Sequence, residues 1–158
     1  MTGPFTGGCQ CGAVRFACES LGRASLCHCR MCQKAFGSYF APLASAEGLT
    51  WTRGAPKHFQ SSNVVRRGFC ADCGTPLTYE YPGGVELALG AFDDPAALPP
   101  VIQMGLESRM PFFADLAGLP TRTPAEQEKV AGFYASVVSH QHPDHDTDAW
   151  PPARTSAS

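Results

Sequence analysis

The sequence predicts a mainly β chain carrying one helix near its C-terminal end. Three observations lead there. Sixteen glycines and fourteen prolines are spread through the chain, which favours turns over long helices. Most apolar runs are short and alternate with polar residues. Helical spacing is sustained in only one segment.

The first predicted strand covers 13–19, with Val14, Phe16 and Cys18 on one face and Arg15 on the other. A cysteine-rich stretch at 27–32 runs into a short helical turn over 31–36. Further strands are expected at 38–43, 49–52, 57–60 and 64–69. The turn signals between them are Arg53-Gly54-Ala55-Pro56 and Ser61-Ser62-Asn63. Strands at 77–81 and 85–89 flank Pro82-Gly83-Gly84 and read as a hairpin. Residues 90–120 are rich in Pro and Gly and are expected to wrap the core as loop and short strand.

The helix begins after Thr123, where Pro124 suits the first helical position and Glu126 completes a Thr-x-x-Glu capping box. Val130, Phe133, Tyr134, Val137 and Val138 form its apolar stripe. The expected organisation is a cysteine-bearing β domain over 1–122, a helix over 123–140 packed on that domain or on a partner, and a polar tail over 141–158. The stripe leaves a homodimer open. His140, His142 and His145 lie in an Asp-rich stretch and read as solvated.

Composition excludes several classes. At 44% apolar and 16% charged residues, the chain has the hydrophobicity to fold and too little charge for disorder or a coiled coil. Residues 1–70 hold eight Lys/Arg against two Asp/Glu, and residues 71–158 hold four against twelve. That balance argues against a nucleic-acid partner. No run approaches the roughly 20 apolar residues of a membrane span, and Met1 to Gly12 has no apolar signal region. The expected location is cytoplasmic. In that reducing setting eight cysteines read as metal ligands before disulfides.

Seven of the eight fall into Cys9-x-Cys11, Cys27-x-Cys29-x-x-Cys32 and Cys70-x-x-Cys73. Cys70-Ala71-Asp72-Cys73-Gly74 resembles a zinc knuckle, which supplies two of the four ligands a structural zinc needs. Two pairings stand open. Cys9 and Cys11 join Cys70 and Cys73, leaving Cys27, Cys29 and Cys32 around a site with a free fourth position. Alternatively, Cys18 completes the middle cluster and both sites are closed. Cys18 also reads as a buried small apolar residue. His28 sits between two ligands, and its simpler reading is a packing residue that faces away from the metal.

Three stretches carry a family resemblance: Gly8-Cys9-Gln10-Cys11-Gly12-Ala13-Val14-Arg15-Phe16, Cys27-His28-Cys29-Arg30-Met31-Cys32-Gln33-Lys34-Ala35-Phe36-Gly37-Ser38, and Phe69-Cys70-Ala71-Asp72-Cys73-Gly74. Leu106-Glu107-Ser108-Arg109-Met110-Pro111-Phe112 and Leu119-Pro120 add to them. Together they resemble the glutathione-dependent formaldehyde-activating enzymes, a family that includes centromere protein V. The resemblance implies a β-tent fold, small twisted antiparallel sheets tied by zinc. It implies two zinc ions per chain: a structural one on Cys9, Cys11, Cys70 and Cys73, and a catalytic one on Cys27, Cys29 and Cys32. It implies a carbon–sulfur lyase acting on a thiol/aldehyde adduct, with glutathione and formaldehyde giving S-hydroxymethylglutathione.

Such a zinc would activate the thiol or polarise the aldehyde, and three thiolate donors favour the former. An anionic thiol such as glutathione calls for a cationic clamp. Arg15, Arg30, Lys34, Arg66 and Arg67 are candidates, with Arg30 and Lys34 preferred because they flank the open-site cysteines. Phe36, Tyr39 and Phe40 wall a pocket or simply pack. The competing readings are a non-catalytic zinc-scaffolded binding module and a redox protein using the middle cysteines as thiols.

Overall fold

A computed structural model describes residues 1–151; the last part of the expected tail, 152–158, lies outside the described residues. Ten strands and two α-helices follow one another as β1 Thr2–Gly8, β2 Arg15–Leu21, β3 Ser25–Cys27, α1 Arg30–Phe36, β4 Ala41–Glu47, β5 Thr50–Arg53, β6 Lys57–Gln60, β7 Arg66–Phe69, β8 Pro76–Tyr81, β9 Gly84–Ala88, β10 Ile102–Met104 and α2 Pro124–Ser136. The fold is mainly β with a C-terminal helix, as the turn-rich alternating sequence predicts.

The strands run in the order β1-β2-β4-β9-β8-β7-β6, with β5 on β2 and with β3 joining β4 to β10. Pairing is antiparallel except between β3 and β10. β4 changes partner along its length. Residues 41–45 pair with β3 and β9, and Ala46 and Glu47 pair with β2. This makes β4 the strand through which the two halves of the sheet are continuous. Phe16, Leu43, Leu77 and Leu87 are fully buried, and Phe16 meets Trp51 and Phe92 edge-on.

Several boundaries differ from the expectations for one reason: pairing partners, not local pattern, decide where a strand stops. The strand expected at 38–43 starts at Ala41 and extends to Glu47, because β9 and β2 pair with its second half. Two strands carry little apolar alternation of their own. β1 pairs with β2, and β3 pairs with β4 and ends on the first residue of the cysteine-rich stretch.

α2 begins as expected. Thr123 accepts from the Glu126 N–H while Glu126 bonds back to the Thr123 N–H. No residue of this helix is buried, however, and Phe133 and Tyr134 are exposed. The stripe is therefore left uncovered by the described residues.

The tail differs most. His142 is buried at 4% exposure, although a polar Asp-rich segment reads as solvated. Its ring occupies the space beside Gly12, where there is no side chain to meet it, and its neighbours bond to the body of the domain. His140 and His145 are exposed, as expected.

Candidate metal centres

Two turns meet at the first cluster. Cys9 and Cys11 sit on the turn between β1 and β2, and Cys70 and Cys73 on the turn between β7 and β8. Each turn ends in a glycine at positive φ, Gly12 at 79° and Gly74 at 78°, a conformation that residues with a Cβ rarely adopt. Thr75 joins the two turns. Its hydroxyl accepts from the Gln10 N–H at 3.0 Å and lies 3.2 Å from the Cys73 sulfur.

The four ligand sulfurs lie within 4.8 Å of one another, with Cys9–Cys11 at 3.6 Å and Cys11–Cys70 at 3.8 Å. All eight cysteines are free thiols. A tetrahedral zinc with Zn–S near 2.3 Å puts its sulfurs about 3.8 Å apart. The donor set therefore fits zinc in both chemistry and spacing. Burial pushes the Cys11 thiol up to about 12, against the backbone N–H of Ala13. Burial acts the same way on Cys73, but hydrogen bonds from the Thr75 hydroxyl and N–H, and from the Cys11 N–H, outweigh it and bring Cys73 down to about 6.

The second cluster comes from one stretch of chain. Cys27 ends β3, Cys29 caps α1, and Cys32 lies in its first turn. The Cys29 sulfur accepts from the Cys32 N–H at 3.4 Å. The three sulfurs lie within 4.8 Å of one another, and no fourth Cys, His or carboxylate among the described residues joins them. Cys18 is in neither group; it lies in the main core at 2% exposure. Cys27 and Cys32 act as a pair. Cys32 holds its proton and shares it with Cys27, so Cys32 is raised and Cys27 is lowered to about 5, with the positive charge of Arg67 favouring the thiolate.

The shell around these three sulfurs is built by residues the sequence reading placed low or missed. His28 is fully buried, its Nε2 3.0 Å from Gln103 Oε1 and its ring against Phe113. Its ring nitrogens are not part of the three-sulfur group. Gln33 is buried and donates to the carbonyls of His28 and Ser108, tying the cysteine stretch to the segment after β10. Nothing in the sequence separates it from a surface glutamine. Arg67 is 6% exposed, donates from Nη2 to the Cys32 sulfur at 3.4 Å and from Nε to Ser61, and lies over the Tyr79 ring at 4.9 Å. In the strand register Arg67 faces Tyr79 and Tyr79 faces Glu86, one row across β7, β8 and β9. Burial raises the Glu86 carboxyl above its ordinary value, and the Cys27 charge adds to it.

Among the described residues, two buried side-chain polar atoms have no partner, His28 Nδ1 and Arg67 Nη1. Both residues flank the three-sulfur cluster. Arg67, Arg30, Lys34, Met31 and Phe59 line a cleft of about 490 Å³. Arg30 and Lys34 also line a second cleft of about 610 Å³ with Tyr39 and Met110. The other clamp candidates are committed elsewhere. Arg15 is buried against Asp93 at 2.7 Å, and Arg66 pairs with Glu80.

A family model for the glutathione-dependent formaldehyde-activating enzyme matches residues 4–108, two thirds of the chain. The chain belongs to that family. The matched region holds all seven clustered cysteines and stops before α2 and the docked tail. The fold is similar to a crystal structure of a Rhodobacter sphaeroides protein, 24% identical, with a TM-score of 0.51 over 63% of this chain and 99% of that one. No curated protein matches the chain. No helix among the described residues is long and apolar enough to cross a membrane.

Proposed function

We propose that this chain joins a small anionic thiol to formaldehyde, with glutathione giving S-hydroxymethylglutathione, a carbon–sulfur lyase reaction taken in the bond-forming direction. The carrying observation is the set of three sulfurs with no fourth donor from the described residues, set beside a cationic cleft. In the reaction the carbon–sulfur bond forms, the carbonyl π bond breaks, and the thiol proton ends on the former carbonyl oxygen. No oxidant or reductant is needed.

Two zinc ions per chain fit the two sulfur groups. Cys9, Cys11, Cys70 and Cys73 hold the structural one, and Cys27, Cys29 and Cys32 the catalytic one. A zinc held by three thiolates supplies a fourth coordination position at which a thiol is ionised or a carbonyl polarised.

The chain's own residues position the substrate. Arg67 is fixed by Ser61, Cys32 and Tyr79 and keeps one buried amino group uncommitted. It is the strongest candidate for a carboxylate of the thiol. Arg30 and Lys34, on the exposed side of α1, supply the outer positive charge, as the sequence suggests. Arg30 also donates to Gln33 Oε1, which restrains it. Met31 and Phe59 give the cleft an apolar wall. Eight free thiols suit a reducing cytoplasm.

The test is titration of cobalt-substituted protein with glutathione, followed by the thiolate-to-cobalt absorption. Glutathione should change the spectrum of the three-sulfur site and leave that of the four-sulfur site alone. An unchanged spectrum with every thiol tried would leave the family scaffold without this activity and favour a zinc-held binding module.

A further inference from the structure

The family match ends at residue 108, yet the chain returns to the family domain after α2. Residues 141–150 lie against the turn that carries Cys9 and Cys11. The His142 N–H donates to the Gln10 carbonyl at 2.7 Å. The Trp150 indole N–H donates to the Cys11 carbonyl at 2.7 Å. Arg53 donates to the Gly12 carbonyl at 3.2 Å and is itself held by the carbonyl and hydroxyl of Thr147. Three successive carbonyls of the ligand turn are thus bonded by the returning segment or by a side chain it holds.

Packing and charge fix the same segment. The His142 ring fills the space over Gly12, where an added Cβ would meet it at 2.2 Å. The His142 Nε2 lies 3.0 Å from the Thr147 hydroxyl and 3.3 Å from Arg53 Nη1. Asp146 accepts from Arg15 at 2.8 Å, and Arg15 is anchored in the domain by Asp93. α2 buries nothing, so these contacts, not the helix, attach the C-terminal segment.

We propose that residues 141–150 are a retaining strap for the metal of the four-sulfur cluster. Losing a metal there requires the two turns to separate. Each turn has its own backbone bonds: the Gly74 N–H bonds the Cys70 carbonyl and the Cys70 N–H the Thr75 carbonyl, while the Gly12 N–H bonds the Cys9 carbonyl and the Cys9 N–H the Val14 carbonyl. The Cys9–Cys11 turn is the one that the strap pins in addition, through the carbonyls of residues 10–12. The strap must lift before that turn can swing away, so it slows metal release. It touches nothing at Cys27, Cys29 or Cys32. The proposal concerns the other cluster and holds whether or not the three-sulfur site is catalytic.

The test uses full-length, zinc-loaded protein, a chromogenic chelator in excess, and mass-spectrometric mapping of each cysteine by alkylation as zinc leaves. His142→Ala combined with Trp150→Phe removes the packing and one indole bond. It should speed zinc loss from the four-sulfur cluster about tenfold or more, with Cys9 and Cys11 exposed to alkylation first and the three-sulfur rate within twofold. Trp150→Phe alone, a milder change that keeps an aromatic ring but loses the indole N–H, should speed that phase about fivefold. Equal acceleration at both clusters would show a general loss of stability and overturn the strap. So would an unchanged four-sulfur rate in both variants, or the finding that this cluster takes up no zinc.

Discussion

Arg67→Met separates substrate binding from scaffold. The wild-type side chain is nearly buried and makes two hydrogen bonds, to Ser61 and to the Cys32 sulfur, besides lying over Tyr79. Each bond contributes about 1 kcal/mol and the stacking about 1 kcal/mol. Removing a buried guanidinium also removes its desolvation penalty. Methionine fills much of the same volume, so the net loss of stability should be about 1–2 kcal/mol, or about 3–6 °C in Tm for a chain of this size. Loss of a charged hydrogen bond to a substrate carboxylate costs about 1.5–3 kcal/mol, about 10- to 150-fold in kcat/KM. The assay is exchange of formaldehyde with glutathione, followed by NMR, alongside the same exchange with a neutral thiol such as 2-mercaptoethanol. Glutathione should suffer the full loss and the neutral thiol only a few-fold one. Arg67→Lys should fall between, since it keeps the charge and loses the fork. Equal losses for both thiols would place Arg67 on the sulfurs rather than on the substrate. An unchanged glutathione rate in a variant that keeps its metals would refute the assignment altogether.

Cysteine substitutions should divide by cluster. Cys29→Ser should bind one zinc fewer, lose activity and keep its circular dichroism, whereas Cys73→Ser should be poorly soluble, and a well-behaved Cys73→Ser would argue against a structural role. Asp93 is held below the usual carboxylate range: burial opposes this, but hydrogen bonds and charge from Arg15 and a bond from Thr6 outweigh it. A depressed folded-state pKa stabilises fully above the unfolded value near 3.9 and is lost as pH falls through the lower folded value. Asp93→Asn should therefore cost about 2–4 kcal/mol at pH 7, and in urea unfolding the gap from wild type should hold from pH 7 to 5 and close below about pH 4. A gap that closes at higher pH would mean that the pair is not what Asp93 contributes.

How much of this was legible in the sequence differs by element. The capping box at Thr123 and the hairpin at Pro82-Gly83-Gly84 are local signals, and both elements form where they predict. Spacing and ligand count narrow the cysteines to two pairings, and the structure brings together the one that leaves Cys18 in the core. Arg67 was only one of five cations, since its burial comes from β7 pairing with β8 and from Cys32 of α1 meeting its guanidinium, which no local pattern announces. Gln33 and Thr75 were invisible for the same reason. The strap was misread because its affinity lies in backbone carbonyls of residues 10–12, and a segment of Asp, His and Pro carries no apolar pattern to disclose such a partner.

The two clusters offer the same ligand atom and differ in how the chain delivers it, and that difference supports the proposed division of roles. The four-sulfur group draws on turns about sixty residues apart, so a metal there closes a long loop and joins β1–β2 to β7–β8. Its free energy of binding adds to folding. The three-sulfur group spans six residues at the start of α1, so a metal there closes almost no loop and adds little to the fold. Stability gives no reason for its buried cation and its two unpartnered polar atoms, which cost free energy wherever they are left unsatisfied. That cost, carried among the described residues at one cluster only, fits the proposed function, in which a carboxylate-bearing thiol would supply the missing partner of Arg67.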